Sequence, residues 1–94
     1  MTNSTKTVHN EARSRYELYI DGDLASIADY RLDGKRAVFF HTETSPPFRG
    51  RGLGAELVEW ALDDVRTRGL TVDPQCWFVA DFVDDHPEYR DLVA

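Results

Sequence analysis

The sequence predicts an α+β domain, a mostly antiparallel mixed sheet in the order β-β-β-α-β-α flanked by helices. Three observations lead there. Two Asp-Gly pairs, Asp21-Gly22 and Asp33-Gly34, separate runs of strand-like residues, which is the sequence form of consecutive β-hairpins. A glycine-rich tract over 49–54 then changes the apolar period from that of a strand to that of a helix. The chain has 94 residues, enough for one small core and no second lobe.

Taken in order, residues 1–14 are polar around Val8 and are expected as a flexible terminus or one short edge strand, with the globular domain over 15–94. Tyr16, Leu18 and Ile20 alternate with Glu17 and Tyr19, the pattern of a strand with one buried face. A second strand covers 24–32 and a third 35–42. The third is apolar on both faces at Val38, Phe39 and Phe40 and is placed inside the sheet. Both Asp-Gly turns are expected as type I′, whose two central residues take positive φ. Thr44-Ser45-Pro46-Pro47 breaks the pattern. Leu53, Leu57, Trp60, Ala61 and Val65 then form one helical stripe, with Arg66 and Arg68 near its end and Gly69 as a stop. Residues 70–72 read as a short strand that Pro74 ends. Trp77, Phe78, Ala80, Phe82 and Val83 fit a second helix over 76–85, closed at His86-Pro87 because the residue before proline avoids helical ψ.

Composition excludes several classes of function. At 41% hydrophobic and 30% charged residues, the chain is not a disordered one. No apolar run approaches the roughly 20 residues that span a bilayer, and the polar start lacks a signal-peptide core, so a cytoplasmic protein without membrane attachment is expected. The single cysteine, Cys76, makes no internal disulfide. With a net charge of −6, general nucleic-acid binding is not expected. The charge is uneven: residues 1–55 carry eight basic and seven acidic groups, residues 56–94 three and ten. Arg49 and Arg51 are a local positive spot suited to one small anion.

That spot lies in Arg49-Gly50-Arg51-Gly52-Leu53-Gly54. Glycines let a backbone approach a ligand without a Cβ in the way, and the helix they open presents unpaired N–H groups. The tract reads as an anion site suited to phosphate. Two familiar phosphate loops do not fit: there is no GK[ST], and glycines at 50, 52 and 54 give GxGxG rather than GxGxxG. The same tract matches the [Q/R]-x-x-G-x-[G/A] signature, and the chain resembles the compact single-domain GNAT-like N-acetyltransferases of the GNAT superfamily. The resemblance runs from about Val8 to the end and includes His41-Thr42-Glu43, Pro74-Gln75-Cys76, Phe78-Val79 and His86-Pro87-Glu88-Tyr89.

The resemblance implies acetyl-CoA as cosubstrate. Phe48, Arg49, Gly50, Arg51, Gly52, Leu53 and Gly54 would cradle its pyrophosphate, and Thr42 and Thr44 would lie on the strand edge beside the thioester. The sequence departs from the family on the acceptor side. A tight turn replaces the helices that larger members carry between their first two strands, Trp77 stands where a smaller residue or proline is expected, and Asp84-Asp85 stands where a more basic approach is expected.

Cys76 falls at the expected start of the last helix, which favours a thiolate. The resemblance adds that the matching cysteine is proposed to be acetylated in transit; the other reading is a buried apolar cysteine. His41, placed by alternation on the face of Phe39 and Glu43, is a candidate base, or a structural histidine. His86 reads as a brace for the end of the helix. His41, Cys76 and His86 have no paired spacing, so no metal is expected. Asp81, Asp84 and Asp85 sit where acids oppose a helix dipole and would draw in a cationic amine. The function expected is an acetyl-CoA-dependent N-acetyltransferase with an unidentified amine acceptor, acting directly or through acetyl-Cys76. The alternative is a non-catalytic acyl-CoA-binding or sensor module. A monomer or weak homodimer is expected.

Overall fold

The computed structural model describes residues 4–93; residues 1–3 of the expected N-terminal segment lie outside them. The described residues form five strands and two α-helices: β1 (Thr5–Asn10), β2 (Arg15–Ile20), β3 (Asp23–Asp33), β4 (Arg36–Thr44), α1 (Leu53–Thr67), β5 (Thr71–Pro74) and α2 (Trp77–Asp85). Short 3-10 turns cover Glu11–Arg13, Pro46–Phe48 and Pro87–Leu92. The sheet order is β1-β2-β3-β4-β5. The first four strands are antiparallel, and β5 adds parallel to β4, a pairing that needs a crossover; α1 supplies it. The polar N-terminal stretch therefore contributes the edge strand β1.

The first Asp-Gly turn has the expected form, with positive φ at both Asp21 and Gly22. The second does not. Asp33 pairs with Arg36, so the loop is Gly34-Lys35 and only Gly34 has positive φ, the sign pattern of a type II′ turn. β5 ends at Pro74 as expected, but it covers Thr71–Pro74 rather than 70–72, with Pro74 itself paired to Phe39.

A single core cluster joins the sheet to both helices. Tyr16, Leu18 and Ile20 of β2 alternate into it, Ala28 and Tyr30 of β3 and Phe39 of β4 follow, and Leu57, Ala61, Leu62 and Val65 of α1 cover them. Trp60, expected in the buried stripe, is 37% exposed at its rim and meets the Tyr16 ring edge-on. Asp64 anchors the helix to this sheet. Its Oδ2 accepts from the Tyr16 hydroxyl and from Arg68 Nε, both at 2.7 Å.

The decisive irregularity is in β4. Asp29 pairs with His41 and Tyr30 with Phe39, leaving Phe40 as the extra residue of a β-bulge. A bulge resets the alternation of faces. β4 lies inside the sheet, between β3 and β5, as expected, but its apolar run is not buried throughout: Phe39 is buried, whereas Phe40 is 51% exposed.

Glu17 is buried on β2, 3% exposed. It accepts from Arg15 Nε at 2.6 Å, the Tyr19 hydroxyl at 3.0 Å and Asn10 Nδ2 at 3.3 Å, joining β1 to β2. Burial opposes its charge, but these three donors outweigh burial and hold its carboxyl below the usual range. A carboxyl depressed on folding adds stability above its unfolded pKa, about 4.3, and loses it as pH falls through the lower folded value. Unfolding free energy should therefore be level near neutrality and fall below about pH 4.5. Glu17→Gln should flatten part of that acid limb in urea titrations; an identical pH profile would remove Glu17 from this role.

Candidate functional site

The site grows from the point where β4 and β5 part. Their pairing ends at Phe39 and Pro74. The chain then turns away from the sheet, held by the Cys76 N–H donating to the Phe39 carbonyl at 2.9 Å, and Cys76 becomes the N-cap of α2. Among the described residues, no strand pairs with β4 on that side beyond Phe39. Thr42 and Thr44 remain on an open edge between the two helix starts.

The bulge brings the expected residues together selectively. Thr42 Oγ1 lies 3.5 Å from Cys76 Sγ. Thr44 reaches the first turn of α1, where its Oγ1 is near Gly54, and Arg49 Nε donates to its carbonyl at 3.0 Å. His41 is separated from them. The extra residue at 40 takes it off the face of Phe39, contrary to the alternation expected from the sequence; its exposed ring has Nε2 3.3 Å from Glu43 Oε1. The structure thus pairs His41 with Glu43 and Cys76 with Thr42.

The loop over 48–54 has the conformation its glycines allow. Gly50 and Gly52 take φ of 79° and 73°, a region in which a branched side chain is strained. Gly52 is the N-cap of α1, and the first intrahelical bond runs from Glu56 N–H to Gly52 O at 3.1 Å. The N–H groups of Leu53, Gly54 and Ala55 consequently have no partner within the helix. They open on a cavity of about 310 Å³ lined by Thr44, Phe48, Arg49, Gly50, Leu53 and Phe78, among others. Its lining holds one arginine and no carboxylate, in a chain of net charge −6. Arg51 stacks over the Phe48 ring, its guanidinium carbon 5.7 Å from the centroid. Gly54 is a close approach: a Cβ there would stand 3.0 Å from the Phe78 ring.

Cys76 is 8% exposed. Burial opposes its thiolate, but the Thr42 hydroxyl and the backbone N–H groups of Phe78, Val79 and Thr42 together outweigh it and hold the thiol below its ordinary pKa. A buried, inert cysteine would be pushed the other way. His86 braces the end of α2: its Nδ1 is 2.8 Å from the Phe82 carbonyl and its ring stacks on Phe82 at 4.0 Å. No group of three or more His, Cys, Asp or Glu residues suited to a metal occurs among the described residues. None of their helices is long and apolar enough to cross a membrane. The sequence pointed to Thr42 only as part of a strand edge. Its place beside Cys76 depends on the bulge, which no residue pattern announced.

A family model described as GCN5-related N-acetyl-transferase matches residues 15–92. Protein NATD1 of Bos taurus is 34% identical over 82 residues, covering 84% of this chain and 72% of the bovine protein. A GCN5-like protein of Staphylococcus aureus solved by NMR superposes with a TM-score of 0.72 at 19% identity, over 95% of this chain and 87% of that one. The PaiA N-acetyltransferase of Thermoplasma acidophilum, crystallised in complex with coenzyme A, superposes with a TM-score of 0.55 at 14% identity, over 60% of this chain and 35% of that one. At such identities the structural likenesses carry the fold alone.

The surroundings of Cys76 set its reactivity. Alkylation by iodoacetamide should rise with pH about a midpoint below that of the same thiol in the urea-unfolded chain, and Thr42→Val should move that midpoint upward. Equal midpoints for the folded and unfolded chains would refute the assignment.

Proposed function

The chain belongs to the GCN5-related N-acetyltransferase family, whose chemistry is acyl transfer, and we propose that it transfers acetyl from acetyl-CoA to an amine. The observation that carries this reading is the carboxylate-free cavity at the start of α1, with its glycine backbone, Arg49 and three N–H groups. These features fit a pyrophosphate: N–H groups and a helix dipole favour an anion, and Gly50 and Gly52 leave room for it to approach. When bound, acetyl-CoA supplies an acyl thioester. Gly50, Gly52, Leu53 and Gly54 hold its phosphates, with Arg49 and Arg51 adding charge and Phe48 and Phe78 as walls. Thr44 and Thr42 mark the way along the open edge of β4 to the thiol.

Cys76 is the nucleophile of the proposed route. Its thiolate, favoured by the first turn of α2 and by Thr42, attacks the acyl carbonyl; the sulfur of the donor leaves, and acetyl rests on Sγ. The acceptor amine then takes the acetyl group, and Sγ departs as thiolate. The amine's proton passes to solvent or to the exposed His41–Glu43 pair. Direct attack by the amine is the simpler variant of the same chemistry. A binding module without turnover is the second reading, favoured by the position of His41, which is engaged with Glu43 rather than with Cys76.

Calorimetry with acetyl-CoA tests the cradle. Binding at micromolar concentrations is expected, and Gly52→Val should weaken it at least tenfold, because a branched Cβ is strained at φ 73° in the N-cap of the anion-binding helix. Absence of heat from the native chain would sink the proposal. Intact mass after incubation with acetyl-CoA should show one added acetyl group, lost in Cys76→Ala. Turnover of an amine by Cys76→Ala at the native rate would reject the two-step route and leave direct transfer.

A further inference from the structure

A second concavity adjoins the cradle. It is a groove of about 210 Å³ between the first turn of α1 and the outer side of α2, lined by Ala55, Trp77, Phe78, Asp81, Asp85 and His86, with Phe82 as its remaining wall. Ala55 and Phe78 line both concavities, so the groove continues the cradle past the first turn of α1. Cys76 lines neither. A molecule whose phosphates occupy the cradle and whose acyl end reaches Cys76 therefore has its opposite end free to enter this groove.

The lining indicates which chemistry fits. Trp77 is 71% exposed, in the first turn of α2, with its ring edge-on to Phe78 at 5.7 Å. Its burial contributes little to the fold, and exposed indole is a stacking surface for a planar ring. The volume lies below the roughly 300–1,000 Å³ of sites for drug-sized ligands and suits a single ring system. Asp81 and Asp85 are acceptors for an exocyclic amine and repel phosphate. The one cationisable ring, His86, is stacked on Phe82 and engaged with its carbonyl.

We propose that this groove receives the adenine base of the CoA nucleotide, with Trp77 as its stacking platform and the Asp81 and Asp85 carboxylates facing the exocyclic amine. The assignment rests on the cofactor reading above.

The test uses CoA, dephospho-CoA, 4′-phosphopantetheine and spermidine as ligands, and two substitutions. With Trp60→Phe as background, Trp77 is the sole tryptophan. CoA and dephospho-CoA should quench its emission, and 4′-phosphopantetheine, which lacks the base, should bind without quenching it. Trp77→Ala, at an exposed position outside the core, should weaken CoA about tenfold by calorimetry and leave 4′-phosphopantetheine unchanged. Equal losses for both ligands, or no loss for CoA, overturn the groove assignment while the cofactor reading stands. Heat from neither ligand with the native chain overturns both. Spermidine that quenches Trp77 where CoA does not would assign the groove to a cationic amine and overturn the adenine proposal.

Discussion

The structure depends on one disagreement between neighbouring strands. β4 runs on for five residues after its parallel partner has stopped at Pro74, and the bulge at Phe40 sits at that boundary. A fully paired sheet would satisfy every backbone group there and present nothing to a ligand. Instead, one edge of β4 is left open between two helices that both begin beside it. The single bond from Cys76 N–H to the Phe39 carbonyl fixes where the divergence starts. Without the bulge, strict alternation would interchange the faces of Thr42 and His41, and the thiol would face an imidazole instead of a hydroxyl.

Packing holds this open feature in place. The same core cluster secures α1, α2 and four strands, so neither helix start can move without disturbing buried side chains. Asp64 reinforces this on the far side through Tyr16 and Arg68, and Asp63 does the same for the C-terminal turn through the Tyr89 hydroxyl at 2.7 Å. The acidic residues of α1 thus divide their labour: two bond inward-reaching tyrosines, while Glu56 and Glu59 remain exposed. The charge segregation along the chain is sharpest at α1, where an acidic helix begins at a cavity without carboxylates.

Much of this was legible in the sequence because it is written in local chemistry. Asp21-Gly22 fixed the first hairpin, the 53-57-61-65 stripe gave α1, and the glycines at 50 and 52 announced backbone that other residues do not adopt. His86-Pro87 ended α2 where the steric rule placed it. What was not legible is register. The second hairpin slipped to Gly34-Lys35 because Asp33 is used in pairing with Arg36. The bulge at Phe40 is a tertiary outcome, with no glycine or proline to mark it, and strict alternation put His41 on the wrong face. The same bulge left Phe40 exposed in what read as a continuous buried run. Thr42 was reached as a strand-edge residue, and its contact with Cys76 joins positions 34 residues apart.

Gly54 has a consequence of another kind. The family signature admits glycine or alanine at its last position, but here a methyl group would stand 3.0 Å from the Phe78 ring and 3.5 Å from the Thr44 hydroxyl. Positions 54 and 78 therefore share one allotment of volume at the contact between the two helix starts. A relative with alanine at the first is expected to carry a slimmer or displaced side chain at the second. Read across many sequences, the pair would register as covariation between a loop signature and a helix 24 positions downstream, a trace of how closely the two walls of the cradle approach.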